Sequence, residues 1–363
     1  MNITYQFVLF VPVANPLNAV NCIRLTLFIC LSVSVLLVPC PVIHAQEMVM
    51  IVSSYARDDL CGRPQYLGVI QAIEESRYRS IPVRSTFLDS KRLPPEKVRQ
   101  RVKRAVDSIG KLHPQVVVTL DDLAFYQVGC KFIGERGMHV VFSGLNRSLS
   151  FYNKRFSFLS GRTPTKNITG VYEYLFLKDQ MEFLQMIFKK KGKVALLYST
   201  DFMGEILKDQ VLAELKETGF FGELKLFPVS DMKDLVKAVD DINADPSIVA
   251  YIPDTMSIPG DVPGQRKTIS DLAPVLTNRA KKIDLAINRA FTRAGFFGGV
   301  SVDFMYMGYQ AGRQAVMLLD GYPIRRLPVE NAMRYEIIIN KKRMEELSLE
   351  LDGQVLNMVD EFL

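Results

Sequence analysis

Short apolar runs, each followed by a stretch of helical periodicity, recur from residue 46 to the end of the chain and limit the fold more tightly than any other feature. Met48–Ser54 (MVMIVSS) is apolar until its two small polar residues and predicts a strand covered on both faces. Gln65–Tyr78 carries Leu67, Ile70 and Ile73 at helical spacing, and Ile81–Leu88 predicts a second strand. Pro94–Leu112 predicts a helix opened by two prolines, a residue suited to a first turn. Strands at Gln115–Leu120 and Met138–Ser143 flank a helix at Leu123–Glu135. A second set follows, with strands at Lys193–Ser199, Glu223–Val229, Ser247–Ile252 and Lys281–Ile287. Its helices are Gly204–Thr218, Asp231–Ile242 and Gln265–Arg279. A helix at Phe304–Leu319, a strand at Tyr335–Asn340 and a short helical tail close the chain. Such alternation means parallel sheets with helices on both faces. Two sets mean an α/β fold of two doubly wound lobes, joined through the aperiodic stretch 151–169. In open parallel sheets ligands bind beyond the carboxyl ends of the strands. With two lobes, the cleft between them is the expected site.

The first 45 residues differ from the rest. They hold one charged side chain, Arg24, followed by the apolar run Leu25–Val38 and the small residue Ala45. That order predicts a secretory signal cleaved near Ala45, and so a periplasmic or secreted protein. An uncleaved anchor, or lipidation at Cys40, is the alternative. Three of the five cysteines lie in this segment, leaving Cys61 and Cys130 either paired or as separate thiols. The net charge of +6 is mild and spread out, which gives no reason to expect nucleic acid as a partner. Three histidines and five cysteines are too few for a structural zinc module, and no metal or cofactor is expected.

The strand ends carry the candidate ligand groups. Ser53, Ser54 and Tyr55 follow the first strand, Asp121 and Asp122 the third, and Ser143 and Asn146 the fourth. In the second set, Thr200 and Asp201 follow one strand and Asp254 and Thr255 another. Hydroxyls and free N–H groups at helix starts suit an anionic group. From Ser53, Ser143 and Thr200 the expected role is donation to such a group; from Asp121 and Asp254 it is acceptance from a cation or hydroxyl. Ser, Thr and Asp are also the preferred helix caps, so a capping role competes at Asp122, Thr200, Asp201 and above all Asp303. Tyr55 either stacks on a ligand or covers the rim. The glycine-rich Gly295–Gly299 matches neither common phosphate motif and predicts a hinge or turn. No G-x-S-x-G elbow occurs, and neither His113 nor His139 stands at a strand's carboxyl end, so the sequence offers no catalytic set.

The segments MVMIVSSY (48–55), PQVVVTLDDLAFYQV (114–128), MHVVFSGLN (138–146), KNITGVYEYL (166–175), KVALLYSTD (193–201), GGVSVDFMYMGYQAGRQAVMLLDGYPIRRLPVE (298–330) and YEIIINKKRMEEL (335–347) carry a family resemblance. In order and spacing they resemble the ABC-transporter substrate-binding family, within the type I periplasmic-binding-protein-like superfamily. The resemblance covers nearly all of residues 47–363. It implies lobes at 47–165 plus 292–325 and at 166–291 plus 326–363, closing by a hinge on a small polar ligand. It also implies delivery to an ABC permease; related domains instead serve as sensors that partner a membrane kinase or chemoreceptor. Either way the resemblance implies a binding protein and not an enzyme.

Overall fold

The computed structural model describes residues 46–188, 192–217, 223–254, 257–262 and 264–363. The expected leader, with its cleavage, anchor and lipidation alternatives, and Thr255 lie outside the described residues.

The first lobe is built on a parallel sheet. Its elements begin with β1 (Gln46–Ser53), α1 (Gly62–Glu74), β2 (Val83–Phe87), α2 (Pro95–Leu112), β3 (Pro114–Leu120) and α3 (Asp121–Gln127). They continue with β4 (His139–Leu145), α4 (Leu149–Phe156), the small hairpin β5 (Leu159–Ser160) and β6 (Thr163–Pro164), and β7 (Ile168–Tyr172). The chain then passes to the second lobe through α5 (Leu177–Ile187), β8 (Lys193–Ser199), α6 (Phe202–Glu217), β9 (Leu224–Val229), α7 (Met232–Ala244) and β10 (Ile248–Asp254). Next come the hairpin β11 (Ser257–Pro259) and β12 (Arg266–Thr268), then α8 (Ile269–Arg279), β13 (Ile283–Asp284), α9 (Arg289–Ala294) and β14 (Gly298–Val302). The last elements are α10 (Phe304–Leu319), β15 (Glu330–Asn331), β16 (Tyr335–Ile339), α11 (Lys341–Glu346), α12 (Gly353–Leu356) and β17 (Glu361–Phe362).

The strand order of the first sheet is β15-β7-β4-β3-β1-β2, and every pairing is parallel. The second sheet is β13-β10-β8-β9, also parallel. The bridges Leu285–Gly298 and Asn288–Val302 lead from its edge to β14-β16-β17, where β14 and β16 run antiparallel. The central strands are buried on both faces, which is why they are near-continuous apolar runs. The two-lobe parallel architecture expected from the alternation is therefore present.

Some elements differ from the expectation. Strand β7 and helix α5 fall where no periodic element was predicted. Gly170 interrupts the apolar run of β7, because a Cβ there would lie 2.2 Å from the carbonyl oxygen of Phe142. The helix expected over Leu123–Glu135 starts earlier and breaks at Val128, with a single 3₁₀ turn at Gly129–Phe132. The N-terminal part of Gln265–Arg279 is strand β12, not helix. Gly298 and Gly299 are not a hinge or turn: they open β14, with positive φ values of 111° and 125°. A Cβ on Gly298 would lie 2.0 Å from the Ile338 carbonyl oxygen, so glycine is what lets the two backbones meet.

Residues 168–172 and 330–331 belong to the first sheet, whereas 298–302 pair with β16 beside the second. The crossings lie near 173–176, 303 and 332–334, where backbone hydrogen bonds join Glu173 to Leu145, Asp303 to Arg334 and Ala332 to Tyr172. Helices α1 and α10 pack backbone to backbone in the first lobe. A Cβ on Gly68 would come within 1.9 Å of the Met305 carbonyl oxygen, and one on Gly308 within 1.9 Å of that of Gln65. This contact holds Gln65 directly beside the ends of β1 and β4.

Candidate functional site

Between the lobes lies a small chamber of about 30 Å³, lined among others by Tyr55, Gln65, Lys91, Asp121, Asn146 and Glu173. These come from the first lobe and the first crossing; Met203, Leu207, Ile287 and Asn288 face them from the second, with Phe304 at the crossing into α10. That volume holds about two water molecules. An outer pocket of about 170 Å³ shares Cys61 and Lys91 with it, so the two spaces meet at this pair.

The carboxyl end of β3 makes the most constrained part. Asp121 sits at φ 73°, a left-handed backbone that aspartate adopts more readily than most residues. Its Oδ2 accepts from the hydroxyl of Tyr55. Burial, and then the neighbouring charge of Asp122, hold the Asp121 carboxyl well above the usual carboxylate range. Burial, then the charge of Asp121, does the same to Glu173. Burial followed by the charge of Asp121 also raises the Tyr55 phenol.

Lys91 is the cation of this wall. Its Nζ lies 2.9 Å from Asp59 Oδ2 and 3.2 Å from Oδ1, and 3.8 Å from the centre of the Tyr55 ring. Asp59 also accepts from the N–H groups of Cys61 and Gly62, which fixes the start of α1. Gln65 donates through Nε2 to Ser143 Oγ at 2.9 Å, and its Oε1 has no partner among the described residues. Across the cleft, Asn146 Nδ2 donates to Gln210 Oε1 at 3.1 Å, and Gln210 Nε2 donates to the Glu173 carbonyl at 2.7 Å. Glu214 receives the Leu175 N–H, so α6 grips the first crossing between the lobes. The Arg147 guanidinium lies between the rings of Phe151 and Phe202, 4.1 and 4.5 Å from their centres, and so spans the cleft rim.

Of the candidates drawn from the strand ends, Tyr55, Asp121 and Asn146 line the chamber. Ser53 and Ser143 stand one layer behind: Ser53 Oγ accepts from the Tyr55 N–H, and Ser143 orients Gln65. The others make different contacts. Ser54 is spent inside the lobe, accepting from the Ala124 N–H and donating to the Leu120 carbonyl, and so caps α3 from outside. Asp122 accepts from the N–H groups of Asn146 and Arg147 and from the Tyr152 hydroxyl, tying α3 to the loop after β4. Asp201 accepts the Gly204 N–H at the start of α6 and pairs with Arg266. Thr200 is exposed and leans on the Val229 carbonyl at 3.5 Å. Asp254 is fully buried, and neither oxygen meets a hydrogen-bond partner among the described residues; it does not line the chamber. Asp303 caps α10 through the Tyr306 N–H, in line with the capping role.

Cys61 and Cys130 are both free and buried, and burial pushes both thiols up to about 12, which makes them inert at neutral pH.

Lys91, Glu173 and Asn288 were missed, yet they obey the same strand-end rule: they follow β2, β7 and β13. Lys91 lies beyond the end of β2, and Gly170 breaks the apolar run of β7 that would mark it as a strand. Gln65, Met203 and Leu207 sit on helices, where periodicity gives no such signal.

A sequence model of the family described as ABC transporter substrate binding protein matches residues 158–363. A tyrosine-binding protein of Clostridioides difficile (strain R20291) is 20% identical over 187 residues, 52% of this chain and 51% of that protein. The chain thus matches about half the length of that curated relative. Among solved structures, the ABC domain in complex with L-Trp from Streptococcus pneumonia superposes with a TM-score of 0.63 at 16% identity, covering 87% of this chain and all of that one. A ligand-free, open substrate-binding protein with adhesive properties from Clostridium difficile gives 0.66 at 11% identity, covering 87% and 99%. At such identities the structures speak for the fold.

Proposed function

The chain belongs to the ABC transporter substrate-binding protein family, and from that premise we propose that it is an extracytoplasmic solute-binding protein that captures one small polar molecule between its lobes and delivers it to an ABC importer. The observation that carries this reading is the chamber, walled by polar side chains from both lobes and the crossings between them. A solute seated in the chamber and the outer pocket that adjoins it touches both lobes at once. Its binding energy is then available to hold the lobes together, which is the requirement for hinge closure. Among the described residues no helix is long and apolar enough to cross a membrane.

The relatives' tyrosine and L-Trp make amino acids the first compounds to test. The experiment is a thermal-shift series on the full chain with amino acids, purines, sugars and small carboxylates. A compound that binds only the folded state adds about 2.7 kcal/mol of stability at a hundredfold excess over Kd. The expected result is a rise in melting temperature with one class, at one molecule per chain and without chemical change to the compound. Turnover of the compound, or no shift with any class, would contradict the reading.

A further inference from the structure

We propose that helix α2 docks the first lobe on an anionic phospholipid surface, through a row of unpaired cationic side chains that the fold gathers on one exterior face. The inference goes beyond solute capture and holds whatever the cleft takes.

The net charge of +6 is not evenly distributed. Helix α2 alone carries six basic and two acidic side chains, a net +4 in one element. Its residues Val98, Ala105 and Ile109 are buried, the last two in the cluster that also holds Met50, Val52 and Val117 of the first sheet. The helix therefore lies flat on the sheet with its opposite face in solvent. Lys97, Arg104 and Lys111 are spaced at two helical turns and form one exposed line from the first turn to the last. Lys103 stands exposed on the other flank. Arg84 extends the row onto β2, the edge strand: Ser85 and Phe87 meet Tyr66 of α1, so the alternate Arg84 points to the α2 side.

None of these five side chains has an ion-pair or hydrogen-bond partner among the described residues. The acids near them are taken. Glu96 pairs with Arg99, and Asp89 with Arg92 and Arg101, which leaves Asp107 as the one unpaired acid of the helix.

Such a row fits an extended anionic surface. Lys97 and Lys111 lie about 21 Å apart along the helix, at 1.5 Å per residue. A free phosphate meets one or two of these groups at a time, whereas a sheet of anionic headgroups meets all of them. Helix α2 has no aromatic side chain, so it lacks the stacking platform of a single-strand binder. Held to the sheet along its length, it does not project into a duplex groove.

The test is cosedimentation of the full chain with vesicles of phosphatidylcholine alone, or with about a third phosphatidylglycerol, at about 0.05 M and about 0.5 M salt. The anionic vesicles should bind about a hundredfold more tightly or better at low salt, and high salt should abolish the preference. The triple variant Lys97→Gln, Arg104→Gln, Lys111→Gln should weaken anionic binding about a hundredfold, near fivefold for each charge. Its melting temperature should not fall, since all three side chains are exposed. A second triple, Lys178→Gln, Lys233→Gln, Lys342→Gln, removes the same charge elsewhere on the surface and should weaken binding less than about threefold. Equal affinity for the two vesicle compositions, or equal losses in the two triples, would overturn the proposal. Tighter binding to a DNA duplex than to the anionic vesicles would overturn it too, and would assign the face to nucleic acid.

Discussion

Arg343→Ala should cost about 3–5 kcal/mol of folding stability, the range for breaking one side of a buried ion pair. Arg343 and Asp284 are 4% and 0% exposed at their side chains. The guanidinium meets Asp284 through Nε at 2.8 Å and Nη2 at 2.6 Å, and also donates to the carbonyls of Thr277 and Ala280. Asp284 in turn receives the Phe297 N–H. One residue of helix α11 thereby ties together the end of α8, strand β13 and the approach to β14. Truncation leaves a carboxylate buried without its cation and two carbonyls without donors. Arg343→Lys should recover part of the loss, because an ammonium reaches fewer of these acceptors. Urea unfolding of the full chain measures this directly. A loss below about 1 kcal/mol, the level of a surface pair, would mean that the pair is solvated in solution.

The second large effect is on pH. Burial raises the carboxyls of Asp121 and Glu173, and holds Glu214 at about 7. A carboxyl whose folded pKa lies above its unfolded one keeps its proton more tightly in the native state. Its contribution to stability is full below the unfolded value and is lost as pH rises through the folded one. Unliganded protein should therefore lose about 0.8 kcal/mol between pH 6.5 and 8.5 from Glu214 alone. His139, whose pKa burial lowers, acts in the opposite direction only below its usual value of 6.5. Chemical unfolding at the two pH values checks the sign. Greater stability at pH 8.5 would show that these carboxyls are ionised and solvated in the cleft.

The alternation of apolar runs and amphipathic stretches revealed the two parallel sheets, because strands buried on both faces must be apolar along their length. It failed where another constraint set the composition. Gly170 in β7 answers to the close approach of Phe142, and Gly298 and Gly299 in β14 answer to Ile338 and Gln180. A strand with such glycines loses its periodic signal. The site was half legible for a related reason. Tyr55, Asp121 and Asn146 follow recognised strands, while Glu173 follows β7, the strand that glycine concealed. Ser54 and Asp122 have the right residue types in the right places, but their hydrogen bonds are used to assemble the loops that aim their neighbours. Residue type cannot separate a group that faces the ligand from one that holds the group that does.

Capture in the cleft between the lobes is tested most directly by titration calorimetry of the full chain with L-tyrosine, L-tryptophan, L-lysine and putrescine, repeated on Met203→Trp. Met203 lies in the second lobe and lines the chamber, is partly exposed, and a larger ring there fills the space without entering the core. The account predicts one molecule bound per wild-type chain for at least one of the four, and loss of that binding in a variant that still unfolds cooperatively. No heat with any of the four, or equal affinity in the filled variant, would contradict it.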